Sequence, residues 1–262
     1  MRLKSFNDIR GIWRSGQITG KLLNEIAGEI HPGQTTAALD DYAAKFIGGH
    51  GATAAFLGYN GFPGSICTSI NDQVVHGIPG DRELAAGDLL SIDVGVVLEG
   101  YVSDAARTYV VGEGETGPDV ERLLAGTRES LAAGIEAIEP GEPLRLVSRA
   151  IEQVLKGARL GVIRELTGHG VGFALHEEPT VCNYDPGQRL PLVSEGLVIA
   201  IEPMATLGSA GVILAADNWT YLTADGSLAA HYEHTVACWD GHGFILTDPA
   251  DEQAVQAFGR AA

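Results

Sequence analysis

Four carboxylates stand in apolar surroundings in this chain. Asp93 sits in the middle of Leu89-Leu90-Ser91-Ile92-Asp93-Val94-Gly95-Val96-Val97, and Glu202 in Ile199-Ala200-Ile201-Glu202-Pro203-Met204. A carboxylate buried in such a run is costly unless something positive meets it. Asp104 follows Asp93 eleven residues on, and Glu233 follows Glu202 in His231-Tyr232-Glu233-His234-Thr235. Glu99-Gly100 reads as the turn between two antiparallel strands. That hairpin would make Asp93 and Asp104 diagonal neighbours on one face, about 7–8 Å apart. Two acids so placed repel each other unless a cation lies between them; a salt bridge to Arg107 is the plainer alternative. Glu202 and Glu233 are expected to repeat the arrangement.

Three histidines join them. His76 lies in Val75-His76-Gly77-Ile78-Pro79, His169 in Thr167-Gly168-His169-Gly170-Val171-Gly172, and His176 in Leu175-His176-Glu177-Glu178-Pro179. The glycines beside His76 and His169 permit backbone conformations closed to other residues and leave room for a substrate. Several familiar motifs fail. His176-Glu177 opens an H-E-x-x-H pattern, but Thr180 stands where the second histidine belongs. Gly168 to Gly172 is followed by Phe173 where a dinucleotide fingerprint needs glycine. There is no Walker A lysine motif and no G-x-S-x-G elbow.

The elements that must position these residues are written twice. Pro32-Gly33 leads into an apolar-periodic run, Leu39, Tyr42, Ala43, Phe46 and Ile47. Pro140-Gly141 leads into Leu144, Val147, Ile151, Val154 and Leu155. Both fit the 3.6-residue period of an amphipathic helix, and each follows another helical stretch, from Ile9 to Ile26 and from Leu123 to Ile138. Pro32 and Pro140 lie 108 residues apart, and Asp93 and Glu202 lie 109 apart. The expectation is an α+β fold in one catalytic domain over residues 1–262. Two duplicated helix–helix–strand–strand halves, about 5–112 and 117–248, would meet face to face.

Composition narrows the field. The chain has 262 residues, long enough for a sizeable core, and 34 acidic against 17 basic residues give a net charge of −17. That surface repels phosphate backbones, so nucleic-acid binding is not expected. No apolar stretch approaches the roughly 20 residues of a membrane span. The start, Met1-Arg2-Leu3-Lys4-Ser5-Phe6, has no apolar core of a secretory signal behind its charges. Cys67, Cys182 and Cys238 are odd in number and form no C-x-x-C pair, which argues against a disulfide framework and for a reducing cytoplasm. Glycine, at 35 residues, is about twice its usual share and is scattered rather than repeated.

Taken together these segments resemble the type I methionine aminopeptidases of the pita-bread metallopeptidase family. The motifs are Gly58-Tyr59-Asn60-Gly61-Phe62-Pro63, Ser69-Ile70-Asn71, Val75-His76-Gly77-Ile78-Pro79, Ile92-Asp93-Val94, Ser103-Asp104, Gly168-His169-Gly170-Val171-Gly172, His176-Glu177-Glu178-Pro179, Ile201-Glu202-Pro203-Met204 and Tyr232-Glu233-His234-Thr235. They run in order along nearly the whole chain. The resemblance implies metal-dependent removal of the N-terminal methionine from peptides and nascent proteins. It implies two divalent metal ions between the halves, with Asp93 chelating one, Asp104 and Glu233 bridging, and His169 and Glu202 on the other. The ions would be Mn²⁺, Fe²⁺, Co²⁺ or Zn²⁺. Asn71 resembles part of a monovalent-cation site.

The resemblance also implies catalytic roles. Glu202 would act as proton acceptor as well as ligand, with His176 donating to the scissile carbonyl and His76 holding the scissile amide. Tyr59, Phe62, Cys67 and Trp219, with positions near Phe56 and Leu175, would form an apolar pocket suited to a thioether. Phe62 replaces a more usual tyrosine, and Leu175 stands where an aromatic is common, so pocket shape is where this chain departs from the pattern. The expected partner is the methionine end of a peptide or nascent chain, acted on by a monomer, with ribosome association left open. Two rivals remain. A proline-specific aminopeptidase or dipeptidase of the same fold usually carries an extra N-terminal domain, for which the position of Asp93 leaves no room. A non-enzymatic binding protein on this scaffold is expected to have lost ligands.

Overall fold

The computed structural model describes residues 1–113 and 116–259. A reciprocal cap starts the first helix, α1 (Phe6–Glu25): Asp8 N donates to Ser5 Oγ, and Ser5 N donates to Asp8 Oδ2 at 2.9 Å. Its stripe of Ile9, Ile12, Leu22 and Leu23 is buried. Thr35 caps α2 (Thr36–Gly49), which buries Leu39, Ala43 and Ile47. The strands β1 (Thr53–Ala54), β2 (Cys67–Ile70), β3 (Gln73–Val75), β4 (Leu89–Leu98) and β5 (Tyr101–Val110) follow. β4 is central: β5 lies along one edge for its whole length, and β2 and β1 share the other. Glu99 and Gly100 make the β4–β5 turn with φ of 52° and 84°. Both residues are left-handed, as a two-residue hairpin requires.

A second helix pair opens the second half, α3 (Pro118–Glu136) and α4 (Arg145–Gly157). Ten strands and a short last helix follow among the described residues. They are β6 (Gly161–Val162), β7 (Thr167–Gly170), β8 (Glu177–Cys182), β9 (Val198–Ile201), β10 (Met204–Thr206), β11 (Val212–Leu214), β12 (Tyr221–Thr223), β13 (Ala229–His231), β14 (His234–Trp239), β15 (His242–Ile245) and α5 (Glu252–Phe258). The largest sheet has the order β15-β14-β9-β7-β8, all antiparallel. One apolar core joins α1 and α2 to β4 through Leu22, Leu39, Leu90 and Ile92. Another joins α3 and α4 to β9 through Leu123, Val147, Ile151 and Ile199. A third, with Ile9, Ile12, Phe244 and Phe258, reaches the cavity described below through Phe56, Phe62 and Cys67. Among the described residues no helix is long and apolar enough to cross a membrane.

The sheet corrects the sequence reading at one place. The run from Leu197 to Met204 is not one strand, because β9 ends at Ile201 and β10 starts at Met204. Pro203 has no N–H to give to a ladder, which accounts for the gap. A matching gap at Tyr232-Glu233 separates β13 from β14. The register pairs His234 with Ile201 and His231 with Met204, so Glu233 stands opposite Glu202. In the first half the acids are diagonal instead, with Asp93 opposite Ala106 and Asp104 opposite Gly95. The second pair therefore does not copy the first.

The halves are sewn together at this level. Glu233 N donates to Ala106 O at 2.9 Å, and Ala106 N donates to Glu233 O at 3.4 Å. On one side of this pair Thr235 Oγ1 accepts from Asp104 N and donates to Asp104 O. On the other, Thr108 Oγ1 accepts from His231 N and donates to His231 O. The result is a local two-fold in which Asp104 and His231 hold corresponding places.

Candidate active site and metal centre

Asp93 comes from the middle of β4 and Asp104 from β5 beside it; His169 comes from β7, and Glu202 and Glu233 from the two strand gaps. All five line one cavity of about 180 Å³. Donor atoms of Asp104, His169 and Glu233 lie within 4.8 Å of one another, the span of a shared cation. His169 Nε2 is 3.4 Å from Glu202 Oε1 and 3.9 Å from Asp104 Oδ2. His169 Nδ1 lies 3.0 Å from Gly170 O, an acceptor only, so Nδ1 carries the proton and Nε2 of the neutral ring is a bare lone pair. That lone pair faces carboxylate oxygens, an arrangement of acceptors that calls for a cation.

Electrostatics says the same. Burial, then Asp93, pushes Asp104 and Glu202 well above the usual carboxylate range; burial, then Asp104, does so for Glu233. Burial raises Asp93 to about 7. Burial lowers His169 to about 4. Asp93 Oδ1, Asp104 Oδ1 and Glu233 Oε1 are buried with no hydrogen-bond partner. Four carboxylates and a lone pair, three of them with orphaned oxygens, fit divalent cations and little else. Arg107 does not offer the salt bridge: its Nη1 donates to Asn24 Oδ1 at 2.9 Å.

His76 and His176 line the same cavity. His76 follows β3 with a left-handed φ of 59°. The chain next to it is pressed against β2, where a Cβ on Gly77 would come within 2.2 Å of Thr68 O. Burial holds His76 at about 4, and burial lowers His176 as well, so both rings are neutral near pH 7. His176 Nδ1 lies 2.9 Å from the Tyr59 hydroxyl. With the hydroxyl donating, Nε2 keeps its proton for a substrate. The loop carrying His176 is braced from below. The buried Lys4 ammonium meets Glu177 Oε2 at 2.7 Å, and Glu177 Oε1 accepts from Phe173 N and Ala174 N.

Tyr59, Phe62, Cys67 and Trp219 form the apolar end of the cavity with Phe56 and Leu175. Phe62 and Trp219 meet edge to face, with ring centroids 5.1 Å apart. Of the residues singled out in the sequence, Asn71 alone stays outside. Its Nδ2 donates to Asp88 Oδ1 at 2.8 Å and its Oδ1 accepts from Leu89 N at 2.9 Å, so both ends of the amide are used at the entry to β4. Sequence reasoning missed Lys4, Glu177 and His231 as parts of this site. His231 is 1% exposed, and its Nε2 lies 3.8 Å from both Glu202 Oε2 and Glu233 Oε2. Its two-residue spacing from Glu233, which places both on one face of an extended chain, was the available signal.

Comparison with known proteins agrees with this geometry. The model of metallopeptidase family M24 matches residues 10–239. A protein of Borreliella burgdorferi named methionine aminopeptidase is 45% identical over 249 residues, covering 95% of this chain and 98% of the relative. Methionine aminopeptidase 1 of Bacillus subtilis is 46% identical over 238 residues, covering 90% and 95%. The crystal structure of methionine aminopeptidase from Rickettsia prowazekii superposes with a TM-score of 0.91 at 36% identity, covering 94% of this chain and 99% of that one. The prolidase of Pyrococcus horikoshii, at 21% identity and a TM-score of 0.73, shares the fold alone. This chain therefore belongs to metallopeptidase family M24, on its methionine aminopeptidase branch.

Proposed function

We propose that this protein hydrolyses the first peptide bond of chains that begin with methionine. The observation that carries the reading is the single cavity, in which five metal-type donors adjoin an apolar, sulfur-containing pocket. Asp93, Asp104, His169, Glu202 and Glu233 hold two divalent ions; a shell mostly of oxygen with one imidazole suits Mn²⁺, Fe²⁺, Co²⁺ or Zn²⁺. When bound, these ions neutralise the four carboxylates and lower the pKa of water in the cavity.

The remaining work belongs to the chain. The pocket of Phe56, Phe62, Cys67, Leu175 and Trp219 receives the methionine side chain. Glu202 takes the proton of the attacking water and passes it to the leaving amine. His176, held by Tyr59, donates from Nε2 to the carbonyl oxygen as its charge grows, and His76 orients the scissile amide. The reading also includes one domain of two repeats, about 5–112 and 117–248, supported by the local two-fold between Asp104 and His231. It further includes a monomer working in the cytoplasm on nascent chains, for which three buried, unpaired cysteines are suited.

The test compares three peptides on the metal-loaded enzyme: Met-Ala-Ser, Gly-Pro-Ala and acetyl-Met-Ala-Ser. Cleavage of the first alone, with near-complete loss in Glu202→Gln, is the expected result. Turnover of Gly-Pro-Ala in its place would move the protein to the proline-specific enzymes. No turnover of any peptide by protein carrying both ions would point to a binding protein.

A further inference from the structure

His231 does not line the cavity, yet its Nε2 is turned toward two of the carboxylates that do, Glu202 and Glu233. It is 1% exposed, and neither ring nitrogen has a hydrogen-bond partner. Its Nε2 is equidistant, at 3.8 Å, from Glu202 Oε2 and Glu233 Oε2. The main chain at His231 is fixed, since the Thr108 hydroxyl bonds both His231 N and His231 O at 2.9 Å. The local two-fold about Ala106 and Glu233 also gives His231 the place that Asp104 occupies in the first half.

We propose that His231 is a positioning residue of the metal centre, holding Glu202 and Glu233 through their Oε2 atoms so that both carboxylates stay turned toward the ions. The inference rests on the assignment of Glu202 and Glu233 as ligands. A neutral imidazole has one N–H, and the nitrogen turned to the acids is Nε2. A distance of 3.8 Å closes to the ordinary 2.9 Å of such a bond with a shift of about 1 Å, and the ring has nothing else to serve. The division of labour is visible in Glu202, where Oε2 faces His231 while Oε1 faces His169 at 3.4 Å. Groups that orient metal ligands from behind typically change metal affinity about 10–100-fold when removed.

The experiment titrates Mn²⁺ calorimetrically into the chelator-stripped full chain, as wild type, His231→Gln and His231→Leu, with melting of the metal-free proteins as the control for folding. Wild type taking up two ions supports the underlying ligand assignment, and no uptake would overturn that assignment. His231→Leu is expected to weaken Mn²⁺ binding about 10–100-fold, with the metal-free melting point unchanged or raised because an unpaired buried group is gone. His231→Gln, which restores an N–H donor, is expected to stay close to wild type. Wild-type affinity in a folded His231→Leu would overturn the proposal, as would a His231→Gln as weak as the leucine variant. If the leucine variant does not fold, ¹⁵N-histidine spectra of wild type with and without Zn²⁺ decide. A His231 Nε2–H that persists and shifts on loading supports positioning. An unmoved signal, or loss of that proton to direct coordination, overturns it.

Discussion

Cys67 and Asp93 stand directly opposite each other across the β2–β4 ladder, so the apolar pocket and the first carboxylate of the metal centre are neighbours on one sheet. Both line the same cavity, and Cys67 is buried. Burial raises the thiol well above its ordinary pKa, with Asp93 adding to the effect, so Cys67 is a neutral wall of the pocket and not a nucleophile. Cys67→Leu adds bulk where the thioether belongs. The expected result is a fall in kcat/KM for Met-Ala-Ser of at least about tenfold, mainly through KM, with two ions still bound. Unchanged kinetics would remove Cys67 from the pocket.

Tyr59 acts through His176 in this account. Removing the hydroxyl in Tyr59→Phe leaves His176 Nδ1, now 2.9 Å from that oxygen, without its partner. Loss of His176 itself should cost about 10²–10³ in kcat, the range for one oxyanion donor. Tyr59→Phe should cost less, and Tyr59→Phe with His176→Ala should be little worse than His176→Ala alone. Additive losses in that double-mutant cycle would separate the two residues.

Lys4 and Glu177 form a buried pair that anchors the N-terminal segment to the His176 loop. Lys4→Met leaves Glu177 without its ammonium in a largely buried place. Breaking such a pair costs about 3–5 kcal/mol, read as a lower midpoint in urea. Metal stoichiometry should be preserved, because no ligand is touched. A midpoint within error of wild type would show the pair to be dispensable.

Chelation should make stability depend on pH in a stated direction. Without metal, burial and mutual repulsion raise Asp104, Glu202 and Glu233 well above their ordinary values, and burial raises Asp93 to about 7. The folded metal-free state thus holds protons that the unfolded chain releases near pH 4. Its stability is fullest below pH 4 in this respect and falls as pH rises through 7. Metals, which bind the ionised acids, remove that loss. The gap in melting temperature between metal-loaded and metal-free protein should therefore widen from pH 5 to pH 8. A constant gap would contradict the shared-cation reading.

Much of this site was legible in the sequence because chemistry and burial conflict there. Asp93 inside an apolar strand, with Glu99-Gly100 as the following turn, was enough to place Asp93 and Asp104 diagonally, as the β4–β5 register has them. Helices α1 to α4 were legible from their apolar stripes. The second acid pair was read less well, because Pro203 breaks the strand and puts Glu202 opposite Glu233. Lys4 was not legible: a lysine near an N-terminus is ordinarily solvated, and only tertiary packing brings Glu177 to it. Asn71 came from resemblance alone, and its amide is committed to Asp88 and Leu89. In the sequence His231 is one more histidine, and its face-sharing with Glu233 gains meaning only once the fold puts Glu202 opposite Glu233.

Anomalous diffraction from crystals of the protein loaded with Mn²⁺ tests the central claim most directly. The account predicts two strong peaks in the cavity, within coordination distance of Asp93, Asp104, His169, Glu202 and Glu233 and beside the pocket of Phe62 and Cys67. Peaks elsewhere on the surface, with those five side chains left unliganded, would contradict it.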